Sequence, residues 1–235
     1  MQFKRFELKY YIHDIQAACL GSQLEHLLDL DHHGDPVEGY RVRSLYFDSI
    51  NDECLYQKQS GFLHRKKIRL RTYGDSGTEM VKFEIKHKHG QFVNKESCAI
   101  EKKDAQQICM GDYGLLLDYD DPILNRIYSV FTTRAYTPKV IVEYIRYAYV
   151  MPELGIRITF DKNMRSNINH LDLFSTVHDS LPIVLEGKQV LEVKYNSYFP
   201  GYLKNILSTI STERMAISKY TLARRFHKQQ KWEDN

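Results

Sequence analysis

The sequence predicts an α+β fold: a closed or nearly closed antiparallel β-barrel of about eight or nine strands with peripheral helices. Two observations predict it. Strand-like segments recur through the 235 residues, with turn residues between them where hairpins need them. Within several of these segments charged residues return at every second position beside an apolar row. Arg5, Glu7 and Lys9 do so in KRFELKYYI, Arg69 and Arg71 in KKIRLRTY, and Glu84 and Lys86 in VKFEIKHK. Successive strand side chains point to opposite faces, so these strands each carry one charged and one apolar face.

Taken in order, residues 2–12 alternate as a strand, and Asp14 can cap a helix running to about Leu28. Tyr40–Phe47 is a strand with Arg41 and Arg43 on one parity, and Asp48 can cap a short helical stretch over Asn51–Gln59. Leu63–Tyr73, Glu79–Lys88 and Phe92–Glu101 form a meander, turning at Gly74–Gly77 and near Gly90. The pattern becomes helical between Lys103 and Thr133, with capping signals at Asp104 and Asp121 and Pro122 at a first helical position. Strands return at Lys139–Val150 and Gly155–Phe160, while Asn163–Ser180 carries no clear signal. Leu181–Glu186 and Val190–Tyr195 read as a hairpin across Gly187–Lys188, and helices at Gly201–Ser208 and about Ser218–Gln229 close the chain.

Bulk composition is that of one compact domain spanning residues 1–235. Hydrophobic residues make up 43% and there are 17 tyrosines, ample for a core. The net charge is only +3, because 30 acidic residues nearly balance 33 basic ones. Basicity here is a matter of placement, which argues against a nucleic-acid coat. Four scattered cysteines without a CxxC pair point to neither a zinc site nor a disulfide framework, and to a reducing compartment. No apolar run approaches the ~20 residues of a membrane span, so a soluble, cytoplasmic protein without direct membrane insertion is expected.

Turned outward, the charged rows make an ordinary wet sheet; turned inward, they line a cationic channel. Buried unpaired cations cost several kcal/mol each, so an inward row needs carboxylates or a bound anion. Arg5, Lys9, Arg69, Arg71, Lys86, Lys95, Arg146 and Arg157 outnumber the acids Glu7, Glu84 and Glu192 of the same parity. That surplus points to a multiply charged ligand, for which phosphate chains suit the forked donors of Arg and the point charge of Lys.

At these residues the chain resembles the VTC domain, the polyphosphate-polymerase-like branch of the triphosphate tunnel metalloenzymes. The matching segments include RFELKYYI, YRVRSLYFDS, HRKKIRLRTYG, FEIKHK, NKES, VEYIRYAY, GIRITFD, LEVKY and ISKYTLARRF, in order from residue 3 to 226. The resemblance implies a closed barrel of about eight strands forming a tunnel, plugged at one end by the C-terminal helix. Lys9, Arg69, Arg71, Lys86, Arg146 and Arg157 would act on the transferred phosphoryl group. Arg5, Lys95, Tyr144, Ser218 and Lys219 would bind substrate phosphates. Glu192, with Glu7, would hold Mn²⁺ or Mg²⁺, hard cations that share their shell with phosphate oxygens.

The implied activity is phosphotransferase chemistry on ATP or another triphosphate, passing the γ-phosphoryl group to a growing polyphosphate chain. A triphosphatase of the same fold, or a non-catalytic polyphosphate or nucleotide binder, stands as the alternative. Partners would be a nucleoside triphosphate and polyphosphate or pyrophosphate, not nucleic acid, with room for a membrane-protein partner. Two departures bear on this. Related tunnel hydrolases carry an acidic ExExK or ExExE first strand, whereas here the row is Arg5-x-Glu7-x-Lys9, which favours the phosphate-chain branch. Ala216 stands where the eukaryotic polymerase pattern has a lysine two residues before its Ser-Lys pair.

Outside the resemblance, His87 and His89 share a face but lack a third ligand, so they are expected at a solvated strand end. Arg224, Arg225, His227, Lys228 and Lys231 are expected on a solvated helix face. A pairing of Glu192 with its strand neighbour Lys194 is not expected.

Overall fold

The computed structural model describes residues 6–31, 38–74, 79–90, 92–175, 179–210 and 213–233. The described residues form ten strands: β1 (Phe6–His13), β2 (Asp29–Leu30), β3 (Tyr40–Ser49), β4 (His64–Tyr73), β5 (Met80–His89), β6 (Phe92–Glu101), β7 (Tyr136–Met151), β8 (Ile156–Asn167), β9 (Leu181–Pro182) and β10 (Lys188–Tyr195). The α-helices are α1 (Asp14–Leu24), α2 (Glu53–Gln59), α3 (Lys102–Cys109), α4 (Pro122–Thr133), α5 (Gly201–Ser208) and α6 (Lys219–Glu233). The α+β class is as the sequence predicts.

Closure is not. The hydrogen-bonded order runs β1-β10-β8-β7-β3-β4-β5-β6, with β2 on β7 and β9 on β8. Among the described residues β1 and β6 are therefore free edges, and the sheet is open rather than a closed barrel. Alternating charges could not reveal this, because a strand alternates identically in an open and a closed sheet. The β6 edge carries the exposed polar run Asn94–Lys95, which keeps such an edge from recruiting another strand.

Contacts divide the chain into two compact units. The first comprises Met1–Arg41, Tyr144–Met164 and Val184–Ser218. In it β1 lies antiparallel to β10, which lies antiparallel to β8. Ile12, Ile158, Phe160, Leu191 and Val193 project from one sheet face onto Leu20 and Leu24 of α1 and Leu203 of α5, all buried. His13, not Asp14, caps α1, its N–H donating to Gln16 Oε1 at 3.0 Å. Asp14 is the first helical residue and accepts from Gln189 Nε2 at 2.8 Å.

The second unit comprises Val42–Glu143, Arg165–Ile183 and Lys219–Asn235. Here β3, β4, β5 and β6 form an antiparallel meander. Its apolar face (Phe47, Ile68, Leu70, Phe83, Ile85) is buried. Phe131 of α4 packs against Phe47 and Phe83, with ring centroids 4.9 and 5.9 Å away. Asp121 caps α4 as expected, accepting from the N–H groups of Ile123 at 2.7 Å and Leu124 at 3.2 Å. Asp104 instead lies inside the first turn of α3.

Asp48 serves α2 from a distance. Asp52, with a left-handed φ of 56°, occupies the N-cap, but its side chain makes no capping bond to the helix. The fully buried Asp48 carboxylate takes the N–H groups of Cys54 at 2.8 Å and Leu55 at 3.1 Å. The expected hairpin at 181–195 is not formed: Leu181 and Pro182 pair with Ser166 and Arg165, while β10 pairs with β1 and β8. Strand β8 also runs on to Asn167, into the stretch that carried no sequence signal.

Candidate functional site

In the first unit, the sheet face opposite the core gathers Glu7, Lys9, Arg146, Arg157 and Glu192 of the charged residues that parity singled out. Register sets Lys9 opposite Glu192, Glu7 opposite Lys194, and Glu192 in turn opposite Thr159. Lys9 Nζ lies 2.8 Å from Glu7 Oε1 and 3.3 Å from Glu192 Oε2, and donates to the Ile217 carbonyl at 3.3 Å. Burial by itself would depress the Lys9 pKa, but the Glu192 and Glu7 carboxylates outweigh it and hold the ammonium well above its usual range. Lys194 pairs with the other oxygen of Glu192, against expectation. Two residues apart on one strand, these side chains lean toward each other along the pleat.

Arg146 makes a forked pair with Asp161, Nε to Oδ1 at 2.6 Å and the second nitrogen to Oδ2 at 2.8 Å. The guanidinium also donates to the Tyr144 hydroxyl at 3.3 Å. Burial opposes its charge, but Asp161 prevails and keeps the arginine more firmly protonated than usual. Arg157 reaches Asp31 Oδ2 at 2.5 Å and the Tyr40 hydroxyl at 3.0 Å. Lys9, Lys194, Arg146 and Arg157 thus meet Glu7, Glu192, Asp161 and Asp31 one for one. Arg5 lies outside the described residues.

The second unit is different. Across β4, β5 and β6 the paired rows are Lys67–Lys86–Lys95, Arg69–Glu84–Ser97 and Arg71–Lys82–Ala99, so six cations share one sheet face with one acid. Glu84 is almost wholly buried, with 1% of its side chain exposed. Arg69 holds its Oε2 from two nitrogens, both at 2.6 Å, Arg71 lies 3.9 Å away, and Lys95 pairs with Oε1. Burial would raise the Glu84 carboxyl; Arg69, Arg71 and Lys95 overcome it and bring the pKa down to about 2.

Neighbouring β3 supplies hydroxyls: Arg69 donates to Tyr46 at 3.0 Å and Arg71 to Ser44 at 3.1 Å. Burial would raise the Tyr46 phenol, yet Arg69, Arg71 and Lys219 together lower it. Lys219 opens α6 and is buried, and half-buried Ser218 directly precedes it in the chain.

Sequence reasoning missed the partners. Asp161 stands on the parity of Arg157, and Ser44 and Tyr46 alternate in YRVRSLYF, but only register reveals which cations they meet. On β3, Arg43 lies opposite Thr72, on the other face from Arg71, and its Nε is 3.6 Å from Glu143. The tail is also more than a solvated helix face. Arg224 pairs with Asp52 at 2.6 Å, Tyr220 donates to Asp48 at 2.5 Å, and buried His227 bonds Ser166 at 2.9 Å. His87 faces Glu96 at 3.7 Å, and the His89 ring contacts His64 at 3.9 Å. Among the described residues, no group of three His, Cys, Asp or Glu is placed to hold a metal alone, and no helix is long and apolar enough to cross a membrane.

A family profile described as the VTC domain matches residues 4–227. The chain belongs to the VTC domain family. Solved structures resemble this VTC domain at low identity and so speak to fold alone. A candidate adenylate cyclase from Bacillus halodurans is 15% identical, with 92% of this chain and 95% of that one covered and a TM-score of 0.51. Another, from Vibrio parahaemolyticus, is 14% identical, with 94% and 97% covered and a TM-score of 0.50. A chain of the Mediator head module from Schizosaccharomyces pombe is 10% identical, with 90% and 99% covered and a TM-score of 0.50. No curated protein sequence matches the domain.

Proposed function

We propose that this VTC domain binds the phosphate chain of a nucleoside triphosphate and transfers the γ-phosphoryl group to a growing polyphosphate. The carrying observation is the face of six cations with one acid in the second unit. Membership of the VTC family and the fold support triphosphate binding; the transfer step is the inference drawn from them. Arg69, Arg71, Lys86 and Lys95 would neutralise phosphate oxygens, with Glu84 and the Ser44 and Tyr46 hydroxyls holding the two guanidinia in fixed orientation. Such preset charge matters because phosphoryl transfer asks for positioning and electrostatics more than covalent catalysis.

A divalent metal fits the first unit's residues. Oxygens of Glu7 and Glu192 converge on one cation, the Lys9 ammonium, and two carboxylates plus phosphate oxygens make a suitable hard donor set. When bound there, Mn²⁺ or Mg²⁺ would supply charge neutralisation at phosphate oxygens. Lys9, Arg146 and Arg157 would contribute fixed positive charge, with Tyr144 as a hydroxyl donor.

A second reading has its own support. The one-for-one pairing in the first unit leaves its face electrostatically satisfied, as suits a module that binds phosphate chains without turning them over. Incubation with ATP and Mn²⁺, resolving polyphosphate, nucleoside diphosphate and free phosphate separately, decides among the readings. Chain growth supports the polymerase, free phosphate without chains the hydrolase, and tight triphosphate binding without turnover the binder. Absence of triphosphate binding overturns all three.

A further inference from the structure

The β4–β5–β6 meander ends in a tip that the phosphate-binding reading does not use. Its last three rows, from Lys66–His87–Asn94 out to His64–His89–Phe92, hold three Lys or Arg, three His and no acid, with Arg65 directly opposite Lys88. Like charges directly opposite one another weaken a sheet, so so dense a row needs a reason. Glu96, two rows inward, is taken by Arg126 and faces His87 at 3.7 Å.

Exposed apolar side chains crown the same end. Leu63 is 65% exposed, Phe92 60%, Tyr56 61% and Phe62 49%. They are gathered rather than scattered. The Tyr56 and Phe62 rings lie 6.0 Å apart, Phe92 closes the outermost row, and the Gly90 N–H of the β5–β6 turn donates to the Leu63 carbonyl at 3.0 Å. Apolar groups ringed by cations on a soluble fold mark an interaction surface.

We propose that this tip docks on the surface of an anionic lipid bilayer. A free polyanion would use the cations but has no use for four exposed apolar side chains. A bilayer uses both: Leu63, Phe62 and Phe92 enter the boundary between headgroups and acyl chains, while Arg65 and Lys88 sit at headgroup depth. The contact is peripheral, because the tip is a set of hairpin ends and not a spanning element. It rests on residues other than those assigned to phosphate transfer, so either assignment can fail alone.

Flotation of the full chain with vesicles tests it. The protein should float with phosphatidylcholine vesicles containing about 30% phosphatidylserine but not with phosphatidylcholine alone, and less as salt rises. Arg65→Glu with Lys88→Glu should weaken vesicle binding at least about thirtyfold, the worth of two surface cations, while triphosphate binding and melting temperature stay near wild type. Phe92→Trp should add a blue-shifted emission, above that of Trp232, which lipid-borne quenchers extinguish. Failure to float with anionic vesicles, flotation indifferent to the charge reversal, or a Phe92→Trp signal that lipid leaves unchanged would each overturn the proposal. Loss of soluble polyphosphate binding in the charge-reversed protein, with no flotation of the wild type, would assign the tip to a soluble polyanion instead.

Discussion

The two units build charged sheet faces from the same strand alternation, yet the faces are electrostatically unlike. In the first, Lys9, Lys194, Arg146 and Arg157 each meet a carboxylate. In the second, the three rows across β4, β5 and β6 carry six cations and one acid, Glu84, which Arg69, Arg71 and Lys95 share. Counting cations along the chain had merged these into one surplus calling for one polyanion. The difference teaches that the demand for an anion belongs to the second unit's face, whereas the first supplies its own counter-charges and so depends on them for stability.

That contrast can be broken at its strongest point first. Asp161→Ala strands the buried Arg146 guanidinium, and should cost about 3–5 kcal/mol in urea unfolding. Arg146→Leu with Asp161→Leu should recover most of that loss, because the charge is removed with its partner. A small effect of the single change would show that the first face is not self-neutralising.

Acid titration of Glu84 comes next. Its folded pKa, about 2, lies below the ordinary 4.5, so its contribution to stability is complete above about pH 4.5 and lost as pH falls toward 2. The full contribution is about 3 kcal/mol at this buried carboxylate. Wild type should therefore lose more stability between pH 5 and pH 2.5 than Glu84→Gln, compared by denaturant unfolding.

Binding sharpens the comparison further. Arg69→Ala should weaken triphosphate affinity ten- to about a hundredfold by calorimetry, the range for a charged hydrogen bond. Arg157→Ala, whose guanidinium already answers Asp31, should weaken it less. Equal losses would erase the distinction between the faces. A modest effect is expected at α6, where Tyr220→Phe removes the hydroxyl that donates to the Asp48 carboxylate and accepts from Arg224, and should cost about 1.5 kcal/mol in stability.

Much of this was legible in the sequence, and for identifiable reasons. Period-two alternation placed Glu7 with Lys9, Arg69 with Arg71 and Glu84 with Lys86 on single faces of their strands, because side-chain direction along a strand is a local property. The α4 start was legible because Asp121 and Pro122 act within one helical turn. Where local logic was less strict it misled: Asp14 is helical rather than the cap, and the hairpin expected at 181–195 pairs with β8 instead.

The sequence by itself determined which strand faces are charged and which are apolar, down to individual residues. Only the tertiary structure decided whether the sheet closes and which acid meets which base. Arg157 finds Asp31 across 126 residues of chain, and Lys9 finds Glu192 only because β1 and β10 pair in one register. A slip of one residue would turn every one of these side chains to the other face. Partnership between distant strands is set by packing and backbone pairing over the whole sheet, and that information is not carried by any single segment.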